Sequence, residues 1–170
     1  IEAAAEAKSI ALKGGDLNRA QKRIVAPWLV HKIFGRWGEL VGSEPSHSGM
    51  PYLDGIWAYA LGSALLNTGD MEGAENQLTR LQEIIEAPDA DQYRAGPTPV
   101  SSILRLAAFN LTGEIRQAQG DLPGAIAAFE SAVALEDLNN YTEPPDWAQP
   151  ARHYLGAALI SARRYEEAEA

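Results

Sequence analysis

A short phrase recurs along this chain of 170 residues: a run of small residues at helical spacing, then Gly-Asp, then a second amphipathic run carrying Ala. It reads AKSIALKGGDLNRA at Ala7–Ala20, LGSALLNTGDMEGA at Leu61–Ala74 and TGEIRQAQGDLPGA at Thr112–Ala125. A fourth copy, LGAALISARRYEEA at Leu155–Ala168, has Arg163-Arg164 in place of Gly-Asp. An internal repeat constrains the fold more than any other feature, because a unit that cannot bury its apolar face alone must stack on its neighbours. The expected fold class is therefore all-α: antiparallel helix pairs stacked as a solenoid.

Each slot of the phrase has a physical role. Helices that cross closely need small residues, which predicts Gly62 against Ala74 and Gly113 against Ala125. Between the helices, Gly can end the first in the left-handed conformation and Asp can cap the second. Leu, Ile and Phe at helical spacing fill the space between neighbouring pairs.

The intervals are irregular. A degenerate unit, VHKIFGRWGELVG, has its turn at Gly35-Arg36, 34 residues before Gly69 (69 − 35). Gly15 to Gly35 is only 20 (35 − 15), which predicts two short helices hinged at Pro27. Gly69 to Gly120 is 51 (120 − 69), and the surplus APDADQYRAGPTPV at 87–100 reads as a loop. Gly120 to Arg163 is 43 (163 − 120), with the surplus in DLNNYTEPPDWAQ. Helices are expected near 2–13, 16–26, 28–34, 37–42, 52–68, 71–86, 101–118, 122–136, 147–161 and from 165 onward. The organisation is an irregular part over 1–50 and regular pairs over 51–170, with inserts at 87–100 and 138–149. Both ends read as the inside of a helix, so the chain is expected to be a segment of a longer protein.

Composition excludes several partners. Fourteen Lys and Arg against 23 Asp and Glu give a net charge of −9, which disfavours nucleic acid and anionic membrane surfaces. No stretch is long and apolar enough for membrane insertion. Cysteine is absent, so there is no disulfide frame, Cys-based zinc site or thiol nucleophile. This fits a reducing compartment, and a cytoplasmic location is expected.

The repeat resembles the tetratricopeptide family, whose pattern of about 34 residues runs W-x2-L-G-x2-Y, then A-x3-F, then P. One copy supplies Phe109, Gly113, Ala125, Phe129 and Ala132; the copy before it supplies Leu61, Gly62, Leu65, Ala74, Leu78 and Leu81. The last supplies Leu155, Gly156, Leu159 and Ala168, and the first Ala7, Ala11, Ala20 and Ile24. The chain departs from the pattern at Arg116, Ala58 and Arg152. The resemblance covers nearly the whole chain and implies a right-handed superhelix with a concave wall. FGRWGEL, GIWAYALGSAL and YTEPPDWAQPARHYLGAAL are similar to blocks of large bacterial tetratricopeptide proteins, which adds bacterial origin as an expectation.

Mapping the first helix of each pair places Tyr59, Ser63, Asn67, Asn110, Glu114, Gln117, His153 and Ala157 on that wall. The lining is suited to an extended peptide or a partner's helix. The Lys/Arg set with which family members clamp a chaperone's carboxylate is missing. Trp28 and Trp37 are expected to pack the irregular half. The insert Tyr141–Trp147 has two readings. In the structural one, Asp146 caps the next helix, Gln149 completes a capping box and Trp147 staples the loop to the stack. In the other, Glu143, Asp146, Arg152 and His153 converge in a ligand pocket walled by Tyr141 and Trp147. His31, His47 and His153 have no metal-ligand spacing, Asp89-Ala90-Asp91 lacks the rest of a calcium loop, and no catalytic motif is present. No cofactor, metal or catalytic residue is expected. The function expected is a non-catalytic scaffold for a protein or peptide partner. The alternatives are an accessory region of a larger enzyme, or a small-ligand site at the insert. Leu155, Leu159, Tyr165 and Ala168 are expected to form an exposed edge through which the segment self-associates.

Overall fold

The computed structural model describes residues 17–44, 49–88, 90–139, 142–143 and 145–169. The expected helix near 2–13, together with His47, Asp89 and Tyr141, lies outside them. Eight α-helices occur among the described residues: α1 (Leu17–Ile33), α2 (Trp37–Val41), α3 (Pro51–Asn67), α4 (Met71–Glu86), α5 (Val100–Ala118), α6 (Leu122–Leu138), α7 (Ala151–Ser161) and α8 (Tyr165–Ala168). The fold is all-α apart from one small hairpin.

Four helix-ending turns share one geometry. Gly35, Gly69 and Gly120 have φ of 63°, 93° and 81°, and Arg163 has φ of 60°. After each, the next amide reaches back to the carbonyl five residues before it: Arg36 to His31 O, Asp70 to Leu65 O, Asp121 to Arg116 O, Arg164 to Leu159 O, at 2.8–2.9 Å. This is the hydrogen-bond pattern of a Schellman ending, for which the left-handed residue is required. Asp70 and Asp121 then cap α4 and α6 by accepting from Gly73 N and Gly124 N. Arg164 caps nothing with its side chain. The variant copy therefore keeps the turn while losing both the residues that favour it.

Helix α3 is apolar on nearly every side and sits in the centre, packed on α1, α2, α4 and α5. Helix α4 is amphipathic, buries only Ala74 and Leu81, and forms the outer layer. The pair α5–α6 repeats the arrangement, and α7 packs on α6. The close crossings are made by glycines. A Cβ on Gly62 would lie 2.7 Å from Leu111 Cδ2, and one on Gly113 would lie 2.4 Å from the Phe129 ring. Trp28 and Trp57 meet edge to face at 4.9 Å, and Trp28 and Trp37 both pack on the small cluster around Leu40 and Trp57.

Four expectations are corrected. Helix α1 runs unbroken through Pro27 to Ile33, with no hinge. Proline removes one amide from the ladder, and α1 is held regardless by burial of Ile24 and Val25 on the α3 side of the core. The insert at 87–100 is a 3-10 turn at Ala90–Gln92 and an antiparallel hairpin pairing Arg94 with Pro99 and Ala95 with Thr98, around Gly96 at φ 79°. Helix α7 starts at Ala151, not 147, because Pro150 disfavours helical geometry at Gln149. At the far end Tyr165 and Ile160 are exposed, whereas Leu159 is buried against Ala125, Ile126 and Phe129, so the expected apolar edge is smaller. No described helix is long and apolar enough to cross a membrane.

Candidate functional site

Lys32 lies in the last turn of α1 beside His31, and its side chain turns into the fold. The residue is 7% exposed. Its Nζ donates to Glu114 Oε1 on α5 at 2.7 Å and to the Tyr154 hydroxyl on α7 at 3.1 Å. It also stands 4.8 and 5.0 Å from the ring centroids of Tyr59 and Tyr154, within cation–π range. The second oxygen of Glu114 accepts from Ser63 Oγ at 2.6 Å. Tyr154 donates to Gln149 Oε1 at 3.0 Å, so the Tyr59 hydroxyl, 3.3 Å away, is the donor in the tyrosine pair. Burial opposes the charge on Lys32, but Glu114 and Tyr154 outweigh it and hold the ammonium above its ordinary pKa. Burial pushes the Tyr59 hydroxyl well up, with Tyr154 and Glu114 adding to the effect. The network thus ties α1, α3, α5 and α7 to one another.

Above this network opens a recess of about 570 Å³ between the carboxyl ends of α1, α3 and α5. Phe34, Trp37, Asn67, Gln117, Gln149 and Tyr154 are among its lining. Asn67 donates its amide nitrogen to Ser63 O at 2.8 Å. Gln117 is exposed.

On the other side of Gln149, residues 145–149 cross the molecule without helix or strand and form a strap. Asp146 accepts from Lys22 Nζ of α1 and from Thr98 Oγ1 of the hairpin. Trp147, 7% exposed, lies with its ring centroid 5.2 Å from that of Tyr59. Asp146 and Trp147 border a cleft of about 260 Å³ with Lys22, Val25, Leu29 and Tyr52. Burial raises the Tyr52 pKa, with the Asp146 carboxylate adding to it.

The residues expected on an open wall divide. Tyr59, Ser63 and Asn110 are buried and do not line the recess; Tyr59 and Ser63 bond to Tyr154 and Glu114, which do, while Asn110 donates to Leu106 O at 3.2 Å and its side-chain oxygen has no partner. Asn67, Glu114 and Gln117 do line the recess. His153 and Ala157 are exposed and do not line it. The four groups of the expected insert pocket are not brought together. Asp146 pairs with Lys22, Arg152 makes two bonds of 2.7 and 2.8 Å to Asp137, and Glu143 and His153 are exposed. Nor does Asp146 cap α7, which has no side-chain cap; Glu136 Oε2 instead accepts from Ala151 N at 2.7 Å. Trp147 does staple the insert to the stack. No group of three or more His, Asp or Glu among the described residues is placed to hold a metal ion.

Sequence reasoning missed Lys32, Tyr154, Lys22 and Thr98. Lys32 had a signal, a lone cation inside an apolar helical run, since a buried charge must be paired. Lys22 and Thr98 had none, because their partner is 124 and 48 residues away. Comparison with protein-family models, curated proteins and solved structures finds no match.

Proposed function

We propose that the chain is a tetratricopeptide-like, non-catalytic scaffold that holds an extended segment of a protein partner across the recess at the carboxyl ends of α1, α3 and α5. The observation that carries this reading is the recess itself. Its volume falls in the range of about 300–1,000 Å³ usual for ligand sites. Three carboxamides, Asn67, Gln117 and Gln149, surround it. Gln117 presents a donor and an acceptor side by side, the same pair that a peptide unit presents, while Asn67 keeps its acceptor and Gln149 its donor. The aromatic side chains of Phe34 and Trp37 supply apolar surface beside them.

The floor supports a holding role rather than a reaction. Lys32 and Glu114 are engaged with one another and with Tyr154 and Ser63, so neither stands ready as a free acid or base. The four matching turns and the 34-residue spacing of Gly35 and Gly69 support the superhelical repeat reading. Selection of random 12-residue peptides on the chain, followed by calorimetry, tests the proposal. Selected peptides should lose at least about ten-fold in affinity with Asn67→Ala or Gln117→Arg, as expected of contact residues worth more than about 1.4 kcal/mol. Gln82→Arg on the outer helix α4 should change nothing. Equal binding by all three variants would remove the recess from the function.

A further inference from the structure

The strap separates two recesses. Pro145, Asp146, Trp147 and Ala148 border the smaller, and Gln149 borders the larger. Its ties run through side chains to four other elements: Asp146 to α1 and the hairpin, Trp147 to α3, Gln149 to α7. These are the contacts of a peptide lying in a groove, with successive side chains read by separate subsites. Lys22 and Thr98 offer two donors to a carboxylate. The Tyr59 face and the apolar side chains of α1 beside it accept an aromatic ring.

The fit of the aromatic residue is imperfect. The indole Nε1 of Trp147 is buried and has no hydrogen-bond partner. A buried donor without an acceptor costs free energy that a ring without an N–H group does not incur. The strap is therefore a serviceable occupant of its bed and not the best one.

We infer that the bed beneath the strap is a docking site for an acidic–aromatic segment of the partner, and that Pro145–Gln149 occupies it until the partner displaces them. This rests on the reading of the chain as a peptide-holding scaffold. Displacement would join the two recesses into one groove running from Lys22 to Gln117.

The probe is a fluorescein-labelled nonapeptide of the strap's own sequence, TEPPDWAQP, and its Trp-to-Phe analogue. Both are titrated by fluorescence anisotropy against the wild-type chain and against Asp146→Ser/Trp147→Ser, in which the bed is emptied. The emptied chain should bind at least about ten-fold more tightly, because affinity falls with the fraction of molecules whose site is open. The Phe peptide should bind more tightly than the Trp peptide. Lys22→Glu in the emptied background, or Lys for Asp in the peptide, should abolish binding. A helical emptied chain that binds neither peptide, or binds them without regard to Lys22, overturns the inference. If the emptied chain does not fold, Thr98→Cys in the otherwise cysteine-free wild-type chain decides. Its thiol should react with a disulfide reagent faster than the chain unfolds, and reaction at the global unfolding rate overturns the inference. The random-peptide test through Asn67 and Gln117 is independent, so this proposal can fail while that reading stands.

Discussion

Breaking the Lys32–Glu114 pair from one side should be among the most damaging single changes in this protein. The two side chains are 6% and 13% exposed, with Nζ and Oε1 2.7 Å apart. At an effective dielectric of about 20, that separation gives a gross attraction of about 6 kcal/mol. Dehydration of each ion costs several kcal/mol, so the intact pair contributes little on balance. Removing one member leaves the other buried, at a cost of about 3–5 kcal/mol. Glu114→Gln retains the shape and an acceptor oxygen, which places it near the lower end, about 3 kcal/mol. For a chain of this length that corresponds to a fall in Tm of roughly 6–12 °C. Lys32→Met should cost a similar amount, because Glu114 would keep only Ser63. The double variant should recover a coupling of about 2 kcal/mol, since neither charge is then left alone. Urea unfolding at neutral pH followed by circular dichroism measures all three, with an unchanged m-value confirming that stability is what moved. Single costs below about 1 kcal/mol, or costs that add to within about 0.5 kcal/mol, would refute the reasoning. The pair would then be solvated, and no preformed floor would exist under the recess.

Two glycines of α5 and α7 should respond in opposite directions to alanine. Gly113→Ala forces a Cβ to within 2.4 Å of the Phe129 ring and should lose about 1–3 kcal/mol, whereas Gly156 has nothing within 4 Å and Gly156→Ala should gain about 0.5–1 kcal/mol by helix propensity. Thermal melts of the two variants check the sign. Arg163→Gly should stabilise by about 0.5–1 kcal/mol, since the left-handed turn at φ 60° costs a side-chain-bearing residue about 1–2 kcal/mol and glycine returns part of that as unfolded-state entropy; an unchanged or lower Tm counts against it. Stability should be level through neutral pH and fall in the alkaline range. Lys32 and Tyr59 both lie above their ordinary values of roughly 10.4 and 10, so the folded state holds protons that the unfolded chain releases first. The urea midpoint should therefore drop as pH rises past about 10, and the drop should be smaller in Lys32→Met.

The helix pairs were legible because their information is local. The turns at Gly69 and Gly120 and the caps at Asp70 and Asp121 each depend on residues within six positions, and the structure places them where the phrase does. Pro27 misled for the opposite reason: a local signal to break was overridden by burial of Ile24 and Val25 against the core. The site was legible only in part. Helical spacing identified Ser63, Asn67, Glu114 and Gln117 as neighbours on one side of the stack, but not that Lys32 and Tyr154 bury part of that side. Asp146 stood out in the sequence, yet its partner Lys22 is 124 residues away and no spacing rule connects them.

That long tie has a consequence for how the chain is made. An array of stacked helix pairs can settle from one end, each pair resting on the one before. Here α1 obtains its partner at Asp146 only after 124 further residues have been added. At synthesis rates of about 5–20 residues per second, that is a wait of roughly 6–25 s. Throughout it, the side of α1 bearing Val25 and Leu29 has no strap to cover it. The same tie links the first described helix to the loop before α7, so the two are coupled for as long as the strap is seated.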